Sequence, residues 1–236
     1  MNELATLAAR NNALWCDAVC RADGRPGEFR DDLWLNRHGT PRFYPDAVTL
    51  TGHPGLADVV ASLVGTDPGR GWAVKDSFAA IDLSPLGFQP LFDAQWLFLE
   101  PPAAGSVPEE VAVVENARDL TAWSHAWSGP GASPEPCPFG TALLSDPDIV
   151  FASFRQDRSI VAGGILNRGG GAVGLSNLFA PADRIDAVWR GMAALAARRF
   201  PGLPLVGYER EAEREAATRN GFVPVGDLRI WHRPGG

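Results

Sequence analysis

Ser176 and Asn177 form a polar pair inside an apolar run, Gly174-Leu175-Ser176-Asn177-Leu178-Phe179. Polar side chains in mid-strand must bond to nearby backbone or line a cavity, because a buried polar group without a partner is costly. Glu209 directly follows the run 203–208, at the carboxyl end of a strand, where the sites of α/β sheets collect. A carboxylate there, raised towards neutrality by partial burial, has the chemistry to take the proton of an ammonium group. Asp76 follows the run 72–75 in a comparable place. The other reading of both acids is as caps for the segments after them.

The remaining reactive side chains form no such set. His38, His53, His125 and His232 have no Ser or Cys partner at a recognisable spacing and read as surface or hydrogen-bonded histidines. Cys16 and Cys20 are four apart and share a helix face, either as small packing residues or as redox-active thiols. With Cys137 they make an odd count and lack a zinc-like second pair, so no metal site is expected.

Helices are expected over 4–21, 56–64, 77–83, 119–127, 183–200 and 210–219, from apolar spacing and from stop signals such as Asp23-Gly24 and Asn220-Gly221. Asp119 is the expected cap of the fourth. Strands are expected over 33–36, 47–51, 72–75, 111–114, 148–154, 160–167, 173–179 and 203–208, and 89–99 and 224–232 each read as one long strand or a hairpin. Residues 129–138 read as an irregular Pro/Gly/Ser loop, and 101–108 as a linker between units at 1–100 and 109–236. Strand–helix–strand units imply parallel neighbours with right-handed crossovers, and the remaining strand pairs are antiparallel. The class is therefore α/β with a mixed sheet.

Composition narrows the partners. A net charge of −7 argues against nucleic acid, which needs clustered Lys and Arg, and Lys75 is the single lysine among 21 basic residues. No apolar run is long enough for a membrane span, and the first residues lack a secretory pattern. A cytoplasmic protein of bacterial origin is expected, while oligomeric state is not legible.

The halves echo each other. Gly87-Phe88-Gln89-Pro90-Leu91-Phe92-Asp93 matches Gly221-Phe222-Val223-Pro224-Val225-Gly226-Asp227 at a constant offset of 134 residues. The same order of strand, helix, strand and helix precedes each copy of the Gly-Phe turn.

That order, with the Asn220-Gly221-Phe222 helix end, resembles the GNAT (GCN5-related N-acetyltransferase) family over 109–233. Residues 33–99 resemble only its core, so the implied fold is a truncated N-terminal copy and a more complete C-terminal one. The resemblance implies an acyl-CoA-dependent N-acyltransferase with acetyl-CoA or another acyl-CoA as co-substrate and a small-molecule or peptide amine as acceptor. Glu209, Ser176 and Asn177 are then the catalytic candidates. Backbone N–H groups of Leu178 and Phe179 would polarise the thioester carbonyl. The family's pyrophosphate loop, Arg/Gln-x-x-Gly-x-Gly/Ala before a helix, falls on Arg184, Ala187 and Trp189. Ala187 replaces its first glycine and Trp189 its second, so Trp189→Gly is expected to improve acyl-CoA binding. Asp183 and Asp186 place negative charge nearby. The family's frequent tyrosine acid falls on Ala217, and on Leu83 in the first half. These departures keep a second function in view, a GNAT-like module that binds a ligand or partner without turnover.

Overall fold

The computed structural model describes residues 2–67, 69–103, 105–129, 138–157 and 159–236. Among the described residues five helices, α1 (Glu3–Ala22), α2 (Leu56–Thr66), α3 (Ala117–Ser128), α4 (Ile185–Arg199) and α5 (Glu211–Arg219), cover the sheet. Its first five strands are β1 (Glu28–Phe29), β2 (Leu33–Leu35), β3 (Ala47–Thr49), β4 (Trp72–Asp76) and β5 (Gln89–Leu99). The other six are β6 (Val111–Val113), β7 (Ile149–Gln156), β8 (Ser159–Gly169), β9 (Ala172–Phe179), β10 (Leu205–Glu209) and β11 (Val223–Arg233).

All eleven strands join one mixed sheet in the order β1-β2-β3-β4-β11-β5-β10-β9-β8-β7-β6. Side-chain alternation sorts its two faces. Val150, Ala152 and Phe154 of β7 meet Val188, Trp189 and Met192 of α4, whereas Ile149 and Phe151 meet Trp15 and Val19 of α1 and Trp123 of α3. The molecule is a three-layer α/β/α sandwich with α4 and α5 on one face and α1 and α3 on the other.

The strand order contains an exchange. The last strand of the sequence, β11, lies between β4 and β5, with Trp231 opposite Val74. In turn β5 lies between β11 and β10, with Trp96 opposite Tyr208. Both strands have 11 residues and their bounds are 134 residues apart. Each half also holds one parallel pair reached through a helix, β3–β4 through α2 and β9–β10 through α4. Asp76 of β4 lies opposite Arg229 and Glu209 of β10 lies opposite Gln95, and Gln95 and Arg229 are themselves 134 residues apart, so the register makes Asp76 the counterpart of Glu209.

Helix α1 ties the halves together. Its Ala5, Ala8 and Ala9 pack on Trp96, Val206 and Leu228, small side chains letting the helix lie close to the sheet. Asn11 is buried and donates to the carbonyls of Asn167, Gly169 and Ala172 at 3.1, 3.0 and 3.2 Å, and accepts from Asn167 Nδ2 at 3.1 Å. A Cβ at Gly174 would run into the amide oxygens of Asn11 and Asn167, so only glycine fits beneath this contact.

Two local expectations change. Residues 77–83 are not helical: the Asp76 carboxylate accepts from Phe78 N at 3.3 Å and Ile81 N at 3.0 Å, and Ala79 has φ +48°. Those N–H groups are captured by a side chain, leaving a short 3-10 turn at Ser84–Leu86. The cap of α3 is Asn116, whose side chain accepts from Asp119 N at 2.9 Å. Residues 130–137 of the expected loop, with Cys137, lie outside the described residues. Cys16 and Cys20 are packing residues, with burial pushing their thiols up to about 11 and about 12.

Candidate active site

The site begins where two parallel strands part. β9 and β10 pair only at Val173–Leu205 and Gly174–Val206. At the next residue a Cβ on Gly207 would stand 2.9 Å from the Leu175 carbonyl oxygen, so a glycine is needed at the point of divergence. Beyond it β9 bulges against β8: Ser176 faces Ile165 and Phe179 faces Gly163, so two intervening residues on β9 oppose one on β8. A bulge of this kind leaves ladder groups unpaired. Asn177 takes up the distortion with φ +53°.

Ser176 and Asn177 bond to each other, Asn177 Nδ2 donating to Ser176 Oγ at 3.1 Å, and among the described residues neither side chain bonds to neighbouring backbone. Both line a cleft of about 220 Å³ with Leu175, Leu178, Tyr208 and Glu209. The opposite wall comes from the first half of the chain: Asn12, Trp15 and Cys16 of α1, the turn Phe43-Tyr44-Pro45, and Lys75 of β4. A second cleft, of about 540 Å³, runs between the starts of α4 and α5. It is lined by Leu178, Phe179, Ala180, Ala182, Ile185, Trp189, Ala212 and Ala216, with Glu213, Glu215 and Arg219 at its polar end. Leu178 and Glu209 belong to both clefts.

Glu209 is half-buried at this junction, and burial raises its carboxyl to about 7, with the Glu213 carboxylate adding to the rise and Arg210 opposing it. It does not cap α5: Arg210 holds the N-cap position, without a side-chain cap bond. By contrast Asp76 is fully buried and spent on the backbone turn after β4.

Of the residues expected at a phosphate loop, Arg184 alone precedes α4. It is the N-cap residue and makes no side-chain cap bond, while its guanidinium donates to Gln156 Oε1 at 2.9 Å. Ala187 lies in the first turn of the helix. Trp189 lies deeper, 3% exposed, its ring 4.8 Å from that of Phe222. The pattern laid on 184–189 is therefore helical core, not a loop, and the connection before the helix is Ala180–Arg184. Asp186 is held by Arg219 at 3.1 Å and Asn220 at 3.0 Å, and this pairing keeps its carboxyl below the usual range. Its charge is met locally, so the uncapped N–H groups of α4 remain open to an anion. Ala217 is fully buried in the core and cannot supply a proton.

No family model and no curated protein matches this sequence. Solved structures do. A GCN5-related N-acetyltransferase from Kribbella flavida is similar at TM-score 0.66 and 19% identity, over 97% of this chain and 96% of that one. The chain has the GNAT fold. A GCN5-related N-acetyltransferase from Sphaerobacter thermophilus is similar over 98% and 95% of the two chains, at TM-score 0.54 and 14% identity. A functionally unknown conserved protein from Staphylococcus epidermidis is similar over 86% and 84%, at TM-score 0.57 and 12% identity. The likeness to the first two runs over nearly the whole chain, so the GNAT fold here includes the first half and its exchanged strand.

Sequence reasoning missed the wall that the first half contributes. Tyr44 and Tyr208 are the only tyrosines in the chain and Lys75 the only lysine, and all three line the smaller cleft. The one available signal was Lys75 itself, a charged residue within a short apolar strand.

Proposed function

We propose that the protein is a cytoplasmic acyl-CoA-dependent N-acyltransferase that passes an acetyl or related acyl group directly to an amine. The observation that carries this reading is the place of Glu209, a carboxyl titrating near 7 where the two clefts meet. The larger cleft fits an acyl-pantetheine arm: its walls are apolar, and alanines at 180, 182, 212 and 216 keep it open. Leu178, Phe179 and Ile185 would hold that arm, and the uncapped start of α4 with Arg184 would take the pyrophosphate. Acyl-CoA supplies the activated thioester.

The smaller cleft then holds the acceptor. Glu209 takes a proton from the acceptor ammonium, the freed nitrogen lone pair forms the new N–C bond, and the C–S bond breaks. Unpaired backbone N–H groups in the β9 bulge stabilise the charge on the carbonyl oxygen. A proton returned to the departing sulfur can come from Tyr208 or Tyr44, the only tyrosyl groups of the chain, since Ala217 offers none, and the second proton that the nitrogen sheds on becoming an amide restores that tyrosine. The matched offset and exchanged strands support a reading of the halves as diverged copies of one unit.

Release of free thiol from acetyl-CoA tests the reading. With a mixture of small amines at pH 8, release should exceed the amine-free rate at least tenfold. If acetyl-CoA stabilises the protein but no amine accelerates thiol release, the non-catalytic binding module is the better account.

A further inference from the structure

Lys75 poses a problem that the acyl-transfer reading leaves unsolved. It is 3% exposed, and among the described residues no carboxylate lies within ion-pair distance of it. Its ammonium donates to Asn12 Oδ1 at 2.6 Å and stands 4.3 Å from the centre of the Tyr208 ring and 6.0 Å from that of Trp96. Two other strands separate β4 from β10, so about 14 Å of sheet lies between the two backbones. The lysine side chain from one side and the Tyr208 ring from the other together close that width, and the ammonium ends over the neighbour of Glu209. A neutral amide and two ring faces satisfy part of an ammonium but do not neutralise it, and buried charges ordinarily have a counter-charge. The charges that bear on Glu209 are those of Glu213 and Arg210, so Glu209 is not that partner.

In the same cleft the Tyr44 hydroxyl is shut off from solvent, and among the described residues no hydrogen bond to it closes within 3.5 Å. It lies next to the Asn177 side chain. The turn that presents it is held by Phe43, a bulky residue at φ +72° and 68% exposed. Strain of that kind persists where surrounding structure enforces it, and it clusters at ligand sites.

We propose that the acceptor is a small amine that also carries a carboxylate, its carboxylate seated on Lys75 and the Tyr44 hydroxyl while its amine faces Glu209. This rests on the acyl-transfer reading for the role of Glu209 but not for the anion seat. At about 220 Å³ the cleft falls below the ~300–1,000 Å³ usual for drug-sized ligands, which favours an amino-acid-sized molecule over a polypeptide segment. Among the described residues Lys75 is the only cation lining it, so a single negative charge is matched better than a phosphate dianion.

The experiment is a calorimetric titration of the CoA-saturated protein with the common amino acids, β-alanine and 4-aminobutyrate, each against its decarboxylated amine and against aminoethyl phosphate. At least one amino acid should bind about 30-fold or more tightly than its amine, the range for losing a buried charge contact. Lys75→Gln should remove that advantage and leave amine binding unchanged, and Tyr44→Phe should reduce it in part. Melting curves show that each variant is folded, with Lys75→Met as a second variant should Lys75→Gln melt early. Equal binding of acid and amine, an advantage that survives Lys75→Gln, no binding by any amino acid, or preference for the phosphate would each overturn the proposal. Binding of an amino acid without thiol release would leave the carboxylate seat standing and remove the transferase.

Discussion

Glu209→Gln should lower kcat/KM for acyl transfer by about 10²- to 10⁴-fold, the range for loss of a positioned general base. Wild-type kcat/KM should rise with pH through about 7, where the carboxyl releases its proton, and the variant should lose that rise. A stability companion follows from the same residue. Its carboxyl is raised from the ordinary 4.5 to about 7 in the folded protein. Between those values the folded state keeps a proton that the unfolded chain has released. Stability therefore falls as pH climbs through that window and is flat above it. At pH 8 the folded protein carries a cost on the order of 3 kcal/mol from this group, as an upper bound. Glu209→Gln should remove most of it at pH 8 and change little at pH 4. Urea midpoints at the two pH values measure the difference, and a variant equally stable or weaker at pH 8 would show that Glu209 is not held in a costly site.

Trp189→Gly should cost about 4–6 kcal/mol of stability. Removing a buried tryptophan side chain costs about 3–5 kcal/mol, and a glycine inside a helix adds about 1 kcal/mol. The ring that disappears is packed on Phe222 and on the core around Met192 and Leu195. The sequence pattern pointed the opposite way, placing Trp189 in a phosphate loop where glycine would help a ligand approach. Denaturant unfolding with acetyl-CoA titration separates the two: a stable variant with improved binding would restore the loop assignment. A variant weakened by several kcal/mol with no gain in affinity fits a helix core.

What the sequence made legible is what local chemistry fixes. The long strands and helices announce themselves by apolar period and by Gly stops, so α1, α4, β5 and β11 fall within a residue or two of their expected bounds. The segment 77–83 has helical spacing, but the carboxylate of Asp76 competes for its N–H groups, a contest that periodicity does not register. The exchange of β5 and β11 was hidden because pairing partners lie far apart in sequence and any apolar strand can sit beside any other. The same holds for the site. Ser176, Asn177 and Glu209 stand out as polar breaks in apolar runs. Lys75, Tyr44 and Asn12 join them only because α1 and β4 fold across the sheet from the other half.

The most direct measurement is a calorimetric titration of the purified protein with acetyl-CoA, run beside the variant Ala216→Trp. Saturable binding with one site per chain, and melting that climbs with ligand as mass action requires, is the expected result. Ala216→Trp intrudes on the cleft between α4 and α5 and, in a sample whose melting curve shows it folded, should abolish both responses. No binding by the well-folded wild-type protein at millimolar acetyl-CoA, or binding untouched by Ala216→Trp, would contradict the placement of acyl-CoA in that cleft and the transferase built on it.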